Sequence, residues 1–110
     1  MRRFLAAMIL ACMGCPAMGE PMLASWYGAE SGRFTANGER FHPLGYTAAH
    51  RTLPFGTMLR VTYAGRVVTV RVNDRGPFTG GRKLDLSFGA ARAIGLTAPG
   101  VAVVQVERLR

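Results

Sequence analysis

An alternation of apolar and polar residues between Thr57 and Asn73 is the clearest structural pattern in the sequence. A period of two is typical of a β-strand with one buried face, and Ala64-Gly65 in the middle of the stretch suits a tight turn. The pattern therefore predicts a β-hairpin. The residues expected on its buried face are Leu59, Val61, Tyr63, Val68, Val70 and Val72, and those expected on the opposite face are Arg60, Thr69 and Arg71.

Other short apolar stretches stand between loops rich in glycine, proline, serine and asparagine. Each stretch is predicted to be a strand or an extended segment. The loop from Ala29 to Pro43 has little periodicity and contains the turn dipeptide Asn37-Gly38. The predicted strands and extended segments are Leu23–Tyr27, Tyr46–His50, Arg82–Leu86 and Val101–Leu109.

One helix is predicted between Phe88 and Ile94, where alanines favour helical structure. Ser87 is a suitable N-cap, and Gly95 suits the C′ position. Several short strands, one short helix and glycine-rich corners predict an all-β fold, a small closed β-barrel that leaves no strand edge exposed. A β-sandwich is the alternative.

The first nineteen residues have the features of an export signal. Met1-Arg2-Arg3 is basic, Phe4 to Ala11 is apolar, and Ala17-Met18-Gly19 offers small residues for cleavage. The apolar run is shorter than the about 20 residues that a transmembrane helix needs. We therefore predict a signal peptide at residues 1–19 and a single exported domain at residues 20–110.

Both cysteines, Cys12 and Cys15, lie within the predicted signal peptide, so cleavage would leave a domain without a thiol or a disulfide. Their spacing would suit a redox or metal pair, but no folded context surrounds them. The segment Ile9-Leu10-Ala11-Cys12 loosely resembles a lipobox. The alternative to simple cleavage is therefore a lipid anchor at Cys12.

The formal net charge is +8, and it becomes +6 when Arg2 and Arg3 leave with the signal peptide. A basic surface favours polyanions. No helix-turn-helix, zinc-finger or aromatic RNA-binding pattern accompanies the arginines, and an export signal also disfavours nucleic acid as a partner. Anionic cell wall or an anionic membrane face is the expected attraction.

Two of the six acidic residues stand where the second strand of the hairpin ends and where the next ordered segment begins. Asp74 belongs to Asn73-Asp74-Arg75-Gly76-Pro77, in which Pro77 prevents further strand pairing, so Asp74 is expected at the rim of the barrel. Asp85 lies where the next ordered segment begins. It has a structural alternative, as an acid near the N terminus of the predicted helix.

Four other residues have both a structural and a functional interpretation. Glu39, after the turn, would by itself be a solvated glutamate, and His50 at a strand end is by itself more often structural than catalytic. Trp26 is favoured as a core residue, with sugar stacking as the functional alternative. Tyr27 is expected by alternation to be the more exposed of the two aromatic residues.

Five blocks of the sequence resemble the RlpA-like (rare lipoprotein A) family, in the family's order and over residues 23–109. The resemblance implies a six-stranded double-psi β-barrel, the fold shared with expansins, acting on peptidoglycan in the bacterial cell envelope. Active members of the family are lytic transglycosylases that prefer glycan strands without peptides. The blocks are Ala24-Ser-Trp-Tyr-Gly28, Thr35-Ala-Asn-Gly-Glu-Arg-Phe41, Thr47-Ala-Ala-His-Arg-Thr-Leu-Pro-Phe-Gly-Thr57, Val70-Arg-Val-Asn-Asp-Arg-Gly-Pro-Phe78 and Arg82-Lys-Leu-Asp-Leu-Ser87.

The resemblance implies functional roles for Glu39, His50, Asp74 and Asp85. Glycoside cleavage needs a protonated carboxyl beside the leaving oxygen, and Asp74 is predicted to be this general acid. If Arg75 pairs with Asp74, the role is better assigned to Asp85. The predicted substrate-binding residues are Trp26, Tyr27, Asn73 and Arg75.

The expected partner is the peptidoglycan glycan strand, bound by a monomer in the periplasm or anchored to a membrane. No cofactor is expected, and a metal site built from His50, Glu39 and Asp74 is disfavoured because no compact ligand spacing is present. The competing interpretation is a non-catalytic, expansin-like module that binds or loosens the wall. Family members often carry a carboxy-terminal SPOR domain, which is expected to be absent because the sequence ends at Arg110, directly after the last predicted strand.

Overall fold

A computed structural model of the protein describes residues 19–109. The body of the predicted signal peptide, with Cys12 and Cys15, lies outside the described residues. Within residues 19–109, no helix is both long enough and apolar enough to cross a membrane. The elements are strands β1 (Glu20–Tyr27), β2 (Thr47–His50), β3 (Met58–Tyr63), β4 (Arg66–Asp74), β5 (Leu84–Ser87) and β6 (Ala102–Arg108), and helix α1 (Phe88–Ile94), with one short 3-10 turn at Ala29–Ser31.

The six strands form a closed barrel in the order β1, β5, β2, β4, β3, β6, and β6 pairs again with β1. The pairs β1–β5 and β2–β4 are parallel, whereas the other four pairs are antiparallel. The prediction of a barrel is confirmed and the sandwich alternative is wrong, because a single sheet closes on itself. The predicted hairpin is the β3–β4 pair, and its turn residue Ala64 has a positive φ of 49°.

The core fills the barrel with the alternating residues that the hairpin pattern predicts. Leu59, Val61, Val70 and Val72 are almost completely buried, and Tyr63 packs against them from the edge. Each fully buried aliphatic side chain stabilises the fold by about 1.5–3 kcal/mol. Strands β5 and β6 add Leu84, Leu86, Val104 and Val106, and α1 adds Ala90, Ala91 and Ile94.

Helix α1 is fixed at both ends as the sequence predicts. The Oγ atom of Ser87 accepts a hydrogen bond from the Ala90 N–H at 3.3 Å, and Gly95 ends the helix in the left-handed conformation with φ 80°. Ser87 also reaches beyond the helix, because it accepts from the Thr47 N–H at 3.3 Å and donates to the Gly45 carbonyl at 2.6 Å. This one hydroxyl ties α1 to the start of β2.

A β-bulge interrupts the β2–β4 pair next to the residues of chemical interest. Ala48 pairs with Val72 and Ala49 pairs with Asp74, so Asn73 is the extra residue on β4. Bulges bend a strand and change the direction of the side chains that follow. Asn73 is buried, whereas Asp74 comes out half-buried at the rim of the barrel.

Candidate active site

Asp74 and Asp85 are brought together by the pairing of three strands. Strand β2 lies between β4 and β5, and its residue Ala49 pairs with Asp74 on one side and with Asp85 on the other. Neighbouring strands are about 4.8 Å apart, so the two Cα atoms are separated by about 10 Å. Both side chains face one open cleft of about 210 Å³, whose other lining residues are Tyr27, Ser31, Ala49, Arg75, Gly76, Pro77 and Phe78.

Asp74 is oriented by backbone donors. Its Oδ1 atom accepts hydrogen bonds from the Ala36 N–H and from the Arg75 N–H, each at 2.9 Å. Its Oδ2 atom is 3.4 Å from the Tyr27 hydroxyl, which donates to it. Because Oδ1 already accepts two N–H groups, Oδ2 is the oxygen left to exchange a proton with a ligand in the cleft.

Asp85 has a different environment. Burial raises the pKa of this carboxyl, and the nearby charges of Asp74 and Glu30 raise it further. A hydrogen bond from the Ser25 hydroxyl at 2.9 Å and the charge of Arg82 act in the opposite direction without cancelling the rise. The surroundings of Asp85 therefore shift its pKa towards the protonated form.

Tyr27 lies between the two aspartates and is buried, at 9% exposure. The expectation that it would be more exposed than Trp26 is wrong, because Phe41 from the long loop stacks on its ring at a centroid distance of 4.9 Å. Burial raises the pKa of the Tyr27 phenol, and the charges of Asp74 and Asp85 raise it further. Tyr27 therefore presents a hydroxyl that stays protonated to the cleft.

Glu39 does not line this cleft but forms a charged hydrogen-bond network beside it. Its carboxylate accepts two bonds from the Arg71 guanidinium, at 2.8 and 3.0 Å, and one from the Asn73 side chain at 2.8 Å. These bonds and a further one from Asn37 lower the pKa of Glu39 to about 2. Glu39 is thus ionised, and it fastens the 35–41 loop to β4 next to the bulge.

His50 points away from the two aspartates. Its Nδ1 atom accepts hydrogen bonds from the N–H groups of Thr52 and Leu53, at 3.2 and 3.1 Å, and its ring lines a second cleft of about 300 Å³. Burial and the charge of Arg75 lower the pKa of His50, so the neutral ring acts as an acceptor. The structure does not bring His50 together with Asp74 and Asp85, with which the family resemblance grouped it.

Arg75 also turns away from the carboxyl beside it. Its guanidinium donates to the carbonyls of His50 and Leu53, at 3.1 and 2.8 Å, and lies 3.9 Å from the centre of the Phe55 ring. In the described part of the chain, the ion pairs are Arg60–Glu107 and Arg71–Glu39. The pairing of Arg75 with Asp74 that would have reassigned the acid role is therefore not formed.

Comparison with known proteins gives a match to a family described as lytic transglycolase, over residues 20–106. The chain belongs to this family. Its lytic transglycolase domain is 61% identical over 88 residues to the probable endolytic peptidoglycan transglycosylase RlpA of Synechocystis sp., covering 77% of this chain and 27% of that protein. It is 53% identical over 87 residues to the endolytic peptidoglycan transglycosylase RlpA of Pseudomonas aeruginosa, covering 76% of this chain and 26% of that protein. The chain thus spans about a quarter of the length of these curated relatives.

Solved structures with the same fold confirm that this lytic transglycolase domain is a double-psi β-barrel. The Streptomyces papain inhibitor superposes with a TM-score of 0.67 at 22% identity, over 84% of this chain and 97% of its own. An expansin of Clavibacter michiganensis superposes with the same TM-score and identity, over 82% of this chain and 50% of its own. At this identity the likeness shows the fold alone.

Trp26 lies outside the cleft of the lytic transglycolase domain. It is half-buried, packs against the barrel core and contacts the Phe88 ring at a centroid distance of 5.3 Å. Side chains alternate along β1, and because Tyr27 lines the cleft, Trp26 points to the side on which α1 packs. The structure thus agrees with the core interpretation and places Trp26 away from the predicted substrate.

Sequence reasoning missed several residues around the cleft. Ser25 could have been found from its place two residues before Tyr27, since alternate residues of a strand share a face. Phe78 is an exposed aromatic residue directly after Gly76-Pro77. It belongs to one of the five sequence blocks that resemble the family, and this could have identified it as a site residue. Among residues 19–109, no group of three or more histidine, cysteine, aspartate or glutamate side chains is arranged to hold a metal ion.

Proposed function

We propose that this domain is an endolytic peptidoglycan transglycosylase that cleaves the bond between N-acetylmuramic acid and N-acetylglucosamine in peptide-free glycan strands. The observation that carries the proposal is the pair Asp74 and Asp85, which face one cleft from strands on either side of Ala49. The family match and the activity for which the relatives are named support the same reaction.

In the proposed mechanism Asp85 is the general acid. Burial raises its pKa, which favours the protonated form that an acid needs, and its proton passes to the glycosidic oxygen as the bond from that oxygen to C1 of the muramyl residue breaks. The glucosamine end leaves as a neutral hydroxyl. Asp85 is left as a carboxylate.

Asp74 completes the reaction as the general base. Its Oδ2 atom, which accepts only the 3.4 Å hydrogen bond from the Tyr27 hydroxyl, takes the proton of the muramyl 6-hydroxyl, whose oxygen then bonds to C1 of the same sugar. The product is a 1,6-anhydro end, and no water molecule is consumed. This assignment moves the role of general acid from Asp74, for which it was predicted, to Asp85, because burial raises the pKa of Asp85 whereas two backbone N–H groups hold the Oδ1 atom of Asp74 as an acceptor.

The proposal also covers where the protein works and what it contacts. A peptidoglycan substrate places the domain outside the cytoplasm, in the cell envelope, as the relatives named for this reaction imply. The lipid anchor at Cys12 and the monomeric state stay predictions. The fold by itself also suits a polymer-binding module, since a mutant of the Clavibacter expansin has been solved in complex with cellohexaose.

The test is product analysis by mass spectrometry after incubation of the purified domain with peptide-free glycan strands. We expect 1,6-anhydromuramyl ends, and we expect Asp85→Asn and Asp74→Asn each to lower the rate at least about hundredfold, as loss of a general acid or base does. Glu107→Gln, which changes a carboxylate paired with Arg60 on the surface, is the matched control and should leave the rate unchanged.

Each other outcome has a distinct meaning. Products with hydrated reducing ends would show a hydrolase in place of a transglycosylase. Sedimentation with cell-wall sacculi without release of any soluble fragment would favour the expansin-like binding module. Full activity of Asp85→Asn would refute its role as the acid.

A further inference from the structure

The loop between β4 and β5, residues 75–83, carries an aromatic ring that the proposed reaction does not use. Phe78 lines the cleft beside Asp74 and Asp85, yet 73% of its surface is exposed. Its ring lies over Gly76, where an added Cβ atom would be 3.4 Å from the ring atom Cε2. Gly76 has a φ of 115°, which side-chain-bearing residues rarely adopt, so glycine permits the turn that carries the ring.

Hydrogen bonds from two arginines join this loop to the segment at the end of β2, one arginine on each side. Arg51, from the loop after β2, donates to the carbonyls of Pro77 and Arg82, at 2.6 and 2.9 Å. These two bonds attach the 75–83 loop on both sides of Phe78. Arg75 reaches in the opposite direction, to the carbonyls of His50 and Leu53. Hydrogen bonds from a charged guanidinium are among the stronger ones in proteins.

Such a well-fixed and exposed ring needs an explanation, since exposing an aromatic face to water is unfavourable. Beside this ring the cleft presents two carboxyls and the Tyr27 side chain. An aromatic face beside hydroxyl-binding groups matches a sugar ring, which has one largely apolar face and a rim of hydroxyls.

We propose that Phe78 is a sugar-stacking platform of the cleft, and that Arg51 is a positioning residue that holds this platform in place. The platform binds a pyranose ring of the glycan next to the ring that reacts at Asp74 and Asp85. The proposal rests on the glycan-binding part of the proposed function and is independent of the cleavage chemistry.

The first experiment measures binding of peptide-free glycan strands by calorimetry in an Asp85→Asn background, in which the ligand is not consumed. We expect Phe78→Ala to weaken binding about tenfold, which corresponds to about 1.4 kcal/mol. The affinity of Phe78→Trp should be within about twofold of that of the Asp85→Asn domain without a second substitution, because an indole also offers a stacking face. Phe34→Ala is the matched control, since Phe34 is 63% exposed and does not line the cleft, and it should bind like the parent.

The second experiment tests Arg51 by a double-mutant cycle. Arg51→Ala should weaken binding when Phe78 is present and should have little further effect in the F78A background, because Arg51 acts through the ring. In the catalytically intact chain, Phe78→Ala should raise KM and leave kcat within about twofold. Thermal melting of each variant checks that the fold persists.

Equal binding by F78A and F34A would overturn the platform, and additive effects of the two substitutions would overturn the role of Arg51. Failure of the cleavage proposal gives a different result, in which the unsubstituted domain yields no anhydro ends while F78A still weakens binding. Absence of glycan binding by both the unsubstituted domain and the D85N domain would also overturn the platform.

Discussion

At the scale of single residues, the surroundings of two carboxyls shift their pKa values in opposite directions, down at Glu39 and up at Asp85. Glu39 accepts hydrogen bonds from Arg71, Asn73 and Asn37, and these stabilise its charge. Asp85 loses hydration by burial, and burial disfavours its charge. The same functional group is therefore held as an anion at Glu39, whereas the pKa of Asp85 is shifted towards the protonated form that the proposed mechanism uses.

Glu39 should make the stability of the fold depend on pH. Its folded-state pKa of about 2 is lower than its ordinary value of 4.5, so the stability it contributes is present above pH 4.5 and is lost as the pH falls towards 2. We expect Glu39→Gln to melt at a lower temperature than the unsubstituted domain at pH 7, with the difference disappearing near pH 2. Thermal denaturation at the two pH values measures this.

The matched control for this prediction is Glu107→Gln. Glu107 makes a single exposed ion pair with Arg60, and exposed pairs contribute at most about 1 kcal/mol. Its melting temperature should differ little from that of the unsubstituted domain at either pH. A deficit of Glu39→Gln that is as large at pH 2 as at pH 7 would contradict the electrostatic explanation.

At the scale of elements, the sequence predicts whatever depends on near neighbours in the chain. The β3–β4 hairpin follows from alternation and from Ala64-Gly65, and α1 follows from its alanines and from Ser87 and Gly95. The bulge at Asn73 could not be predicted, because it depends on how β2 pairs with β4 across the barrel. The burial of Tyr27 under Phe41 and the rotation of His50 away from the acids depend in the same way on distant contacts.

The candidate site shows the same contrast between features that near neighbours in the chain predict and features that depend on distant contacts. Sequence blocks identified Asp74 and Asp85, which the structure places in one cleft. The separate environments of the two acids, and the attachment of Glu39 to Arg71, appear only when the strands are assembled. Chain order therefore identifies the acids, whereas folding decides which hydrogen-bond partners surround each of them.

Ser87 offers a test at this scale, because its hydroxyl joins two elements. Ser87→Ala should lower the free energy of unfolding by about 2 kcal/mol, since the buried N–H group of Ala90, the N–H group of Thr47 and the carbonyl of Gly45 each lose a partner. Denaturant-induced unfolding followed by circular dichroism measures this loss. Thr69→Ala on the exposed face of β4 is the control, expected within about 0.5 kcal/mol of the unsubstituted domain, and an equal effect of both would contradict the role given to Ser87.

At the scale of the whole molecule, the domain combines a closed barrel with an excess of positive charge. The formal net charge of the chain is +8, and the described ion pairs neutralise only two of its arginines. Such a surface attracts anionic polymers over distances set by the salt concentration. A peptide-free glycan strand carries a lactyl carboxylate on each muramyl residue, whereas a chitin oligosaccharide carries no charge.

We therefore expect binding of peptide-free glycan to weaken as salt is raised from about 0.05 M to about 1 M, since the screening length falls to about 3 Å at 1 M. Binding of a chitin oligosaccharide of similar length should change much less, because stacking and hydrogen bonds are short-range. Calorimetric titration of both ligands across this salt range makes the comparison. The same salt dependence for both ligands would rule out a contribution of the carboxylates.

The shared pairing of Ala49 with Asp74 and Asp85 has a consequence for engineering this domain. The separation of the two acids is fixed by the hydrogen-bonded ladder of β2, β4 and β5, whereas Phe78 stands on a loop outside that ladder. The platform proposed at Phe78 and the two acids thus lie on separate parts of the chain. We expect exchange of residues 76–82 for another loop to change which polysaccharide the domain binds without altering the spacing of its two acids.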